Sequence, residues 1–153
     1  MRLQLQHLAP YLPYELKAYQ TIYTEVRGGR KDKITTEIRK VNSTSVYNFF
    51  QHSPQKENPE KYIKPILRPL SDLTKEIEVN GEKFVPINLL EIDSSTVDFN
   101  SANNQPIIKL VDCEFIYVID VYNNITQKLL EWHFDVFGLI ERGLAIDINT
   151  LEL

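Results

Sequence analysis

The sequence contains one cysteine, Cys113, and only one methionine and one tryptophan among 153 residues. A single cysteine excludes an intramolecular disulfide and a cysteine-based zinc cluster. Cys113 lies in the apolar run from Ile107 to Ile119, which predicts a small buried side chain, with a nucleophilic thiol as the alternative. This cysteine usage fits a reducing compartment.

Long uninterrupted hydrophobic segments are also missing. The first residues, Met1–His7, contain no apolar stretch of the kind that a signal peptide needs. The most apolar run, Ile107–Val121, includes four charged side chains and is too short to span a bilayer. We therefore expect no membrane segment and a protein that stays in the compartment where it is made.

The overall composition is that of an ordinary globular protein, with 42% apolar and 25% charged residues. A chain of this length corresponds to one domain, and it buries roughly 70% of the surface that the unfolded chain exposes. Eight tyrosines and seven phenylalanines indicate a core rich in aromatic rings. The sequence thus predicts a single domain over residues 1–153.

Charge is distributed unevenly along the chain. Residues 1–70 carry twelve basic and six acidic side chains, a net charge of +6, whereas residues 71–153 carry five and fifteen, a net charge of −10. Such a division marks either two different binding faces or internal complementarity between the halves. The acidic half also permits imitation of a nucleic-acid backbone, the alternative being an ordinary acidic surface.

Alternation and turn residues predict several small β-elements. Residues 1–17 indicate a helical turn followed by a proline corner, and residues 18–41 a β-hairpin interrupted by Gly28-Gly29. In its first strand, Ala18 and Gln20 lie on one face, with Tyr19 and Thr21 on the other. Residues 42–62 are expected to be irregular and residues 64–70 extended. A short helix over 71–77 and a hairpin at Asn80-Gly81 follow, unless 71–85 form one longer helix.

The remainder of the chain predicts a loop, a strand and a long helix. Residues 93–106, rich in Ser, Asn and Asp, indicate a flexible loop, and residues 107–119 a buried strand. Apolar residues at helical spacing predict a helix from about Tyr122 to Arg142, before a short strand within 144–148. The predicted fold class is α+β, with short antiparallel β-hairpins packed against a long C-terminal helix.

No catalytic, metal-binding or cofactor-binding motif stands out. The histidines His7, His52 and His133 have no partner at metal-ligand spacing. Glu131, His133 and Asp135 are two residues apart and do not share a face of a helix. A phosphate-binding glycine loop and a nucleophile elbow are both missing. We therefore expect no enzyme activity, no metal and no cofactor, with an enzyme of unrecognised type as the alternative.

The basic hairpin is the best candidate for contact with a partner or a nucleic acid. Basic side chains interleaved with aromatic rings hold phosphates and stack on bases. Asp32, Glu37 and a sequence pI of about 5.4 favour the alternative of a solvated loop. The candidate contact residues are Arg27, Arg30, Lys31, Lys33, Arg39, Lys40, Tyr19 and Tyr23.

Three stretches together carry a family resemblance. They are HLAPYLPY at 7–14, KPILRPLSDL at 64–73, and LEWHFDVFGLI at 130–140 with GLA at 143–145. The combination resembles small uncharacterised proteins from prophages and mobile elements of Bacteroidetes-type bacteria. The resemblance covers about a quarter of the chain, and no functional residues can be transferred from it.

The resemblance implies a bacterial cytoplasm and a phage setting. Small phage proteins without catalytic motifs often bind a host protein, and inhibitors of CRISPR effector nucleases are one such class. We therefore expect a non-enzymatic interaction module, most concretely an inhibitor of a host defence nuclease. The alternatives are a nucleic-acid-binding accessory of phage replication and an enzyme of unrecognised type.

Overall fold

The computed structural model describes residues 2–24, 33–51, 57–90 and 125–151. Within these ranges the chain is a mixture of short helices and two small sheets, of four and two strands, which does not conflict with the predicted α+β class. The strands are β1 (Lys17–Thr24), β2 (Lys33–Lys40), β3 (Ile63–Leu67), β4 (Ile77–Val79), β5 (Glu82–Phe84) and β6 (Ile146–Asp147). The α-helices are α1 (Leu5–Leu8), α2 (Ser43–Gln51), α3 (Pro86–Leu89) and α4 (125–131).

Backbone contacts divide the chain into two compact units. The first contains Met1–Ile66 and Glu141–Ile146, and the second contains Leu67–Ile140 and Asp147–Leu153. The single domain expected from the sequence stays a prediction. The predicted loop at 93–106, the predicted strand at 107–119 with Cys113, and the first residues of the predicted long helix lie outside the described residues.

The first unit begins with the helical turn and proline corner that the sequence predicted. Helix α1 continues into a 3₁₀ segment, Ala9–Tyr14, and Glu15 ends it with a positive φ of 60°. The side chains of Leu8, Tyr11 and Leu16 are fully buried. The corner therefore contributes side chains to the core of this unit.

The main sheet has the strand order β2-β1-β3-β6. Strand β1 pairs antiparallel with β2, with Ala18 opposite Arg39, and antiparallel with β3, with Ala18 also opposite Pro65. The predicted hairpin is therefore present, and its first strand is central. The short final strand expected within 144–148 is β6.

Helix α2 corrects the expectation that residues 42–62 are irregular. The backbone N–H of Ser45 donates to Asn42 Oδ1 at 2.8 Å, and the N–H of Asn42 donates to Ser45 Oγ at 3.1 Å. These reciprocal bonds satisfy N–H groups that the helix start would otherwise leave unpaired. Val46 and Phe49, three residues apart, are buried on one face. The polar residues that indicated a loop are thus the N-terminal cap of a helix.

The second unit contains the predicted Asn-Gly hairpin. Strands β4 and β5 pair antiparallel, and Asn80 (φ 53°) and Gly81 (φ 84°) form the turn between them. Positive φ at both positions matches the right-handed twist of the strands. Before the hairpin, the predicted short helix is a 3₁₀ segment, Leu70–Thr74. Pro86 begins α3, where its missing N–H is not needed.

The predicted long helix to Arg142 is wrong, because α4 ends at 131. The N–H of His133 donates to Leu130 O at 3.0 Å, and the N–H of Phe134 donates to Leu129 O at 2.8 Å. His133 has a φ of 60° between them. This is a Schellman C-terminal cap with histidine where glycine is usual. The apolar periodicity continues past 131, but its later side chains belong to turns.

Asp135 organises the turns that follow α4. Its Oδ1 accepts from the N–H of Leu139 and its Oδ2 from the N–H of Ile140, both at 2.8 Å, and the side chain is buried. The ring of Trp132, three residues earlier in the chain, lies 5.0 Å from the ring of Phe84 between centroids. A carboxylate with two backbone donors fixes the segment that replaces the expected helix.

We expect Asp135→Asn to lower the free energy of unfolding by about 1–3 kcal/mol, because an amide accepts only one of the two bonds and leaves a buried N–H unpaired. Urea denaturation followed by circular dichroism measures the change. The matched control is Glu141→Gln at an exposed carboxylate, which should change stability by less than about 0.5 kcal/mol. Equal effects of the two substitutions would contradict the assignment.

Candidate interaction surface

Strand β1 has one buried and one open face, as the alternation predicted. Ala18 is fully buried and Gln20 is 4% exposed, whereas Tyr19 and Thr21 are partly exposed. The amide of buried Gln20 donates to the carbonyls of Arg39 at 3.3 Å and Lys40 at 3.4 Å. The buried face thereby joins β1 to β2, and the opposite face remains at the surface.

The open face, here named the outer face, combines basic, hydroxyl and apolar side chains from three strands. Residues opposite each other in an antiparallel ladder share a face. Tyr19 lies opposite both Ile38 and Lys64, and Lys17 lies opposite Lys40. The outer face therefore consists of Lys17, Tyr19, Thr21, Thr36, Ile38, Lys40 and Lys64.

The backbone hydrogen bonds of β1 alternate between its two neighbours. The N–H of Val41 donates to Leu16 O at 2.7 Å, and the N–H of Thr21 donates to Tyr62 O at 2.8 Å. Because bonded pairs alternate along an antiparallel ladder, Ala18 and Gln20 bond toward β2, and Tyr19 and Thr21 toward β3.

The same alternation leaves one side of β2 unpaired. Thr36 and Ile38, which lie opposite Thr21 and Tyr19, direct their N–H and C=O groups away from β1. In the part of the chain that the structure describes, β2 pairs only with β1. The backbone of Thr36 and Ile38 is named the free edge below.

Side chains around the free edge are exposed on both faces of β2. All five residues of 36–40 are exposed, including the apolar side chain of Ile38 at 44%. Lys40 is paired with Glu15, and Arg39 Nη2 lies 2.9 Å from Glu37 Oε2. Lys17 and Lys64 make no ion pair within the described residues. Residues 36–40 of β2, here named the ribbon, are thus exposed, and the two basic side chains among them are each paired with a carboxylate.

Some of the predicted contact residues lie within the described residues, and others do not. Tyr19 and Lys40 lie together on the outer face, whereas Arg39 lies on the opposite face of β2. The backbones of Tyr23 and Lys33 pair within the hairpin, but their side chains lie outside the described part. Arg27, Arg30 and Lys31 also lie outside the described residues, so their role stays a prediction.

Sequence reasoning missed Lys17, Ile38 and Lys64 as members of this surface. Lys17 and Tyr19 share strand periodicity, so that signal was available in the sequence. Lys64 joins them only because β3 pairs with β1, and strand pairing across more than forty residues leaves no local pattern. The exposure of Ile38 follows from its place on an edge strand.

Of the other sequence candidates, His133 lies within the described ranges. His133 belongs to the cap of α4, and its carbonyl accepts from the N–H of Arg68 at 2.8 Å. No group of three or more His, Cys, Asp or Glu side chains in the described ranges is arranged to hold a metal ion. Among the described helices, none has the length and apolar character required to cross a membrane.

Proline substitutions test the orientation of the backbone in β2. We expect Ile38→Pro to preserve the hairpin, since proline is tolerated where the N–H points away from the sheet. Glu37→Pro should lower the free energy of unfolding by about 1 kcal/mol or more beyond Ile38→Pro, because it removes a ladder hydrogen bond. Glu37→Ala gives the baseline for loss of the surface ion pair with Arg39. Urea denaturation measures all three, and the reverse order would contradict the assigned edge.

Known proteins supply no further guide to this surface. The resemblance to prophage proteins stays a prediction that the fold neither supports nor opposes. No protein-family model, no curated protein and no solved structure gave a significant match to the chain.

Proposed function

We propose that the protein is a non-enzymatic interaction module that binds an extended, acidic segment of a partner protein as an added strand beside β2. The observation that supports this most is the free edge, where Thr36 and Ile38 have backbone groups without a neighbouring strand in the described chain. Unpaired edges are templates for strand addition, and proteins normally shorten or cover them.

The length and side chains of β2 favour a specific partner. Eight residues are ample for a strand-to-strand contact, since strands usually contain five or six. Backbone hydrogen bonds would supply affinity, and exposed Ile38 offers an apolar contact at the centre of the ribbon. The partner segment would therefore carry an apolar residue between acidic ones.

Charge favours an acidic segment. Strand β2 carries Lys33, Arg39 and Lys40, of which Arg39 is paired with Glu37 and Lys40 with Glu15. The outer face adds Lys17 and Lys64, so the balance of these groups is positive. Complementary charge steers association and excludes partners of like charge. The hairpin tip, with Arg27, Arg30 and Lys31, would extend the same field if it contacts the partner.

The most concrete form of the proposal is that the partner is a host defence nuclease, such as a CRISPR effector, which the protein inhibits. Its basis is the resemblance to prophage proteins. Nucleases that use two metal ions hold them with carboxylates, so they contain acidic surfaces for a basic strand to occupy. A bacterial cytoplasm is the compartment that this form requires.

A direct binding test uses defined probes and the full chain. Isothermal titration with poly-L-glutamate, poly-L-lysine and a single-stranded oligonucleotide compares an acidic chain, a basic chain and a nucleic acid. We expect measurable binding of poly-L-glutamate only. Preferential binding of the oligonucleotide, weakening steeply as salt rises, would replace the proposal with the nucleic-acid accessory, for which Tyr19 beside Lys64 would be the stacking platform.

Matched variants connect binding to the edge. We expect Ile38→Pro to reduce poly-L-glutamate binding by at least about tenfold, because it removes a backbone donor and blocks the edge without loss of the hairpin. The double substitution Arg39→Glu, Lys40→Glu should reduce it further, whereas Lys83→Glu on β5 should change it by less than about threefold. Unchanged binding by Ile38→Pro would contradict strand addition.

A further inference from the structure

A cleft in the second unit gathers charged side chains that the proposed function does not use. It has a volume of about 380 Å³, within the range of small-molecule sites. Its backbone is fixed on one side, because the N–H of Arg68 donates to His133 O and the N–H of Asp135 donates to Arg68 O, both at 2.8 Å. Its polar lining includes Arg68, Asp72, Lys75, Glu76, Asp147 and Asn149.

Asp72 is the buried carboxylate of this lining, and both of its oxygens accept hydrogen bonds from side chains of the protein. The side chain of this residue is 5% exposed. Its Oδ1 accepts from Lys75 Nζ at 2.9 Å, and its Oδ2 accepts from Asn149 Nδ2 at 2.7 Å. Asp147 Oδ1 in turn accepts from the N–H of Asn149 at 2.9 Å. Both carboxylate oxygens of Asp72 are thus engaged within the protein.

Arg68 is left with a guanidinium that the described chain does not satisfy. Its Nε is buried and has no hydrogen-bond partner, and no ion pair joins the side chain to a described carboxylate. Burial lowers the pKa of Arg68 below its ordinary value. The charges of Asp72 and Asp147 act in the opposite direction but are the smaller effect. Burying a charged donor without a partner is costly, so such a group calls for an explanation.

Two carboxylates in the cleft also retain unused acceptors. Glu76 is exposed and makes no hydrogen bond with a described residue, and Asp147 Oδ2, on a half-buried residue, also makes none. The lining therefore offers the Arg68 guanidinium, the remaining donors of the Lys75 ammonium group and two carboxylates to a ligand. A ligand with a single negative charge would meet repulsion from both carboxylates, whereas a zwitterion satisfies both signs.

We propose that this cleft binds a small zwitterion of the α-amino acid class, whose carboxylate is held by the Arg68 guanidinium and whose ammonium group is held by Glu76 and Asp147. The planar fork of an arginine matches a carboxylate with two parallel hydrogen bonds. The short distance between the two charges of an α-amino acid suits groups that line one small cleft. Binding here is independent of strand addition at β2.

Nuclear magnetic resonance titration of the full chain tests this site. The probes are the twenty L-amino acids one at a time, with acetate, methylammonium and inorganic phosphate as fragments carrying one charge sign. We expect at least one amino acid to bind saturably and to shift the Arg68 Nε–H resonance, and each fragment to bind at least about tenfold more weakly. No binding by any amino acid, or equal binding by acetate or phosphate, would overturn the proposal.

Three variants separate binding from folding. We expect Arg68→Gln to weaken amino-acid binding by at least about tenfold while the unliganded protein keeps or gains thermal stability, since the unpaired charge is removed. Asp147→Asn should weaken binding of the amino acid but not of acetate. Lys83→Gln, which removes an exposed positive charge elsewhere in this unit, should change neither.

Two results would contradict the role of Arg68. The first is unchanged amino-acid binding by Arg68→Gln. The second is a marked loss of stability in both Arg68→Gln and Arg68→Met, which would make the guanidinium a structural group of the fold.

Discussion

The alternation of backbone hydrogen bonds along β1 constrains most of what the first unit presents at its surface. A central strand has one set of N–H and C=O groups for each neighbour, and in β1 these sets belong to Ala18 and Gln20 on one side and Tyr19 and Thr21 on the other. The same alternation in the β1–β2 ladder directs the backbone groups of Thr36 and Ile38 away from β1. The register of β1 with both neighbours places Lys17, Tyr19 and Lys64 on one face.

The two candidate sites have a common physical origin. At the free edge of β2, backbone donors and acceptors lack a neighbouring strand, and in the cleft of the second unit a guanidinium lacks an acceptor. Buried polar groups, and backbone groups in regular secondary structure, normally have hydrogen-bond partners within the protein. The surrounding groups are well satisfied: Asp72 has two partners and Asp135 has two backbone donors. The contrast with these satisfied groups distinguishes the free edge and the Arg68 guanidinium.

Local patterns in the sequence predicted the local parts of this fold. Strand periodicity assigned the faces of β1, and Asn80-Gly81 predicted the β4–β5 turn, because both depend on residues next to each other. The end of α4 was not predicted, because His133 adopts the positive φ at which glycine is usual. The turns that follow depend on Asp135, whose carboxylate accepts from N–H groups four and five residues later. The free edge and the Arg68 cleft depend on pairings distant in sequence, such as Asp72 with Asn149, which no period or motif encodes.

The central claim is that the edge of β2 receives a partner strand, and amide hydrogen exchange tests it most directly. In the unbound protein, the amides of Thr36 and Ile38 should exchange rapidly, whereas those of Glu37 and Arg39, bonded to β1, should be protected. Addition of poly-L-glutamate should protect the amides of Thr36 and Ile38 and leave the protection of Glu37 and Arg39 unchanged. Rapid exchange of Thr36 and Ile38 in the bound state, with binding established, would contradict strand addition.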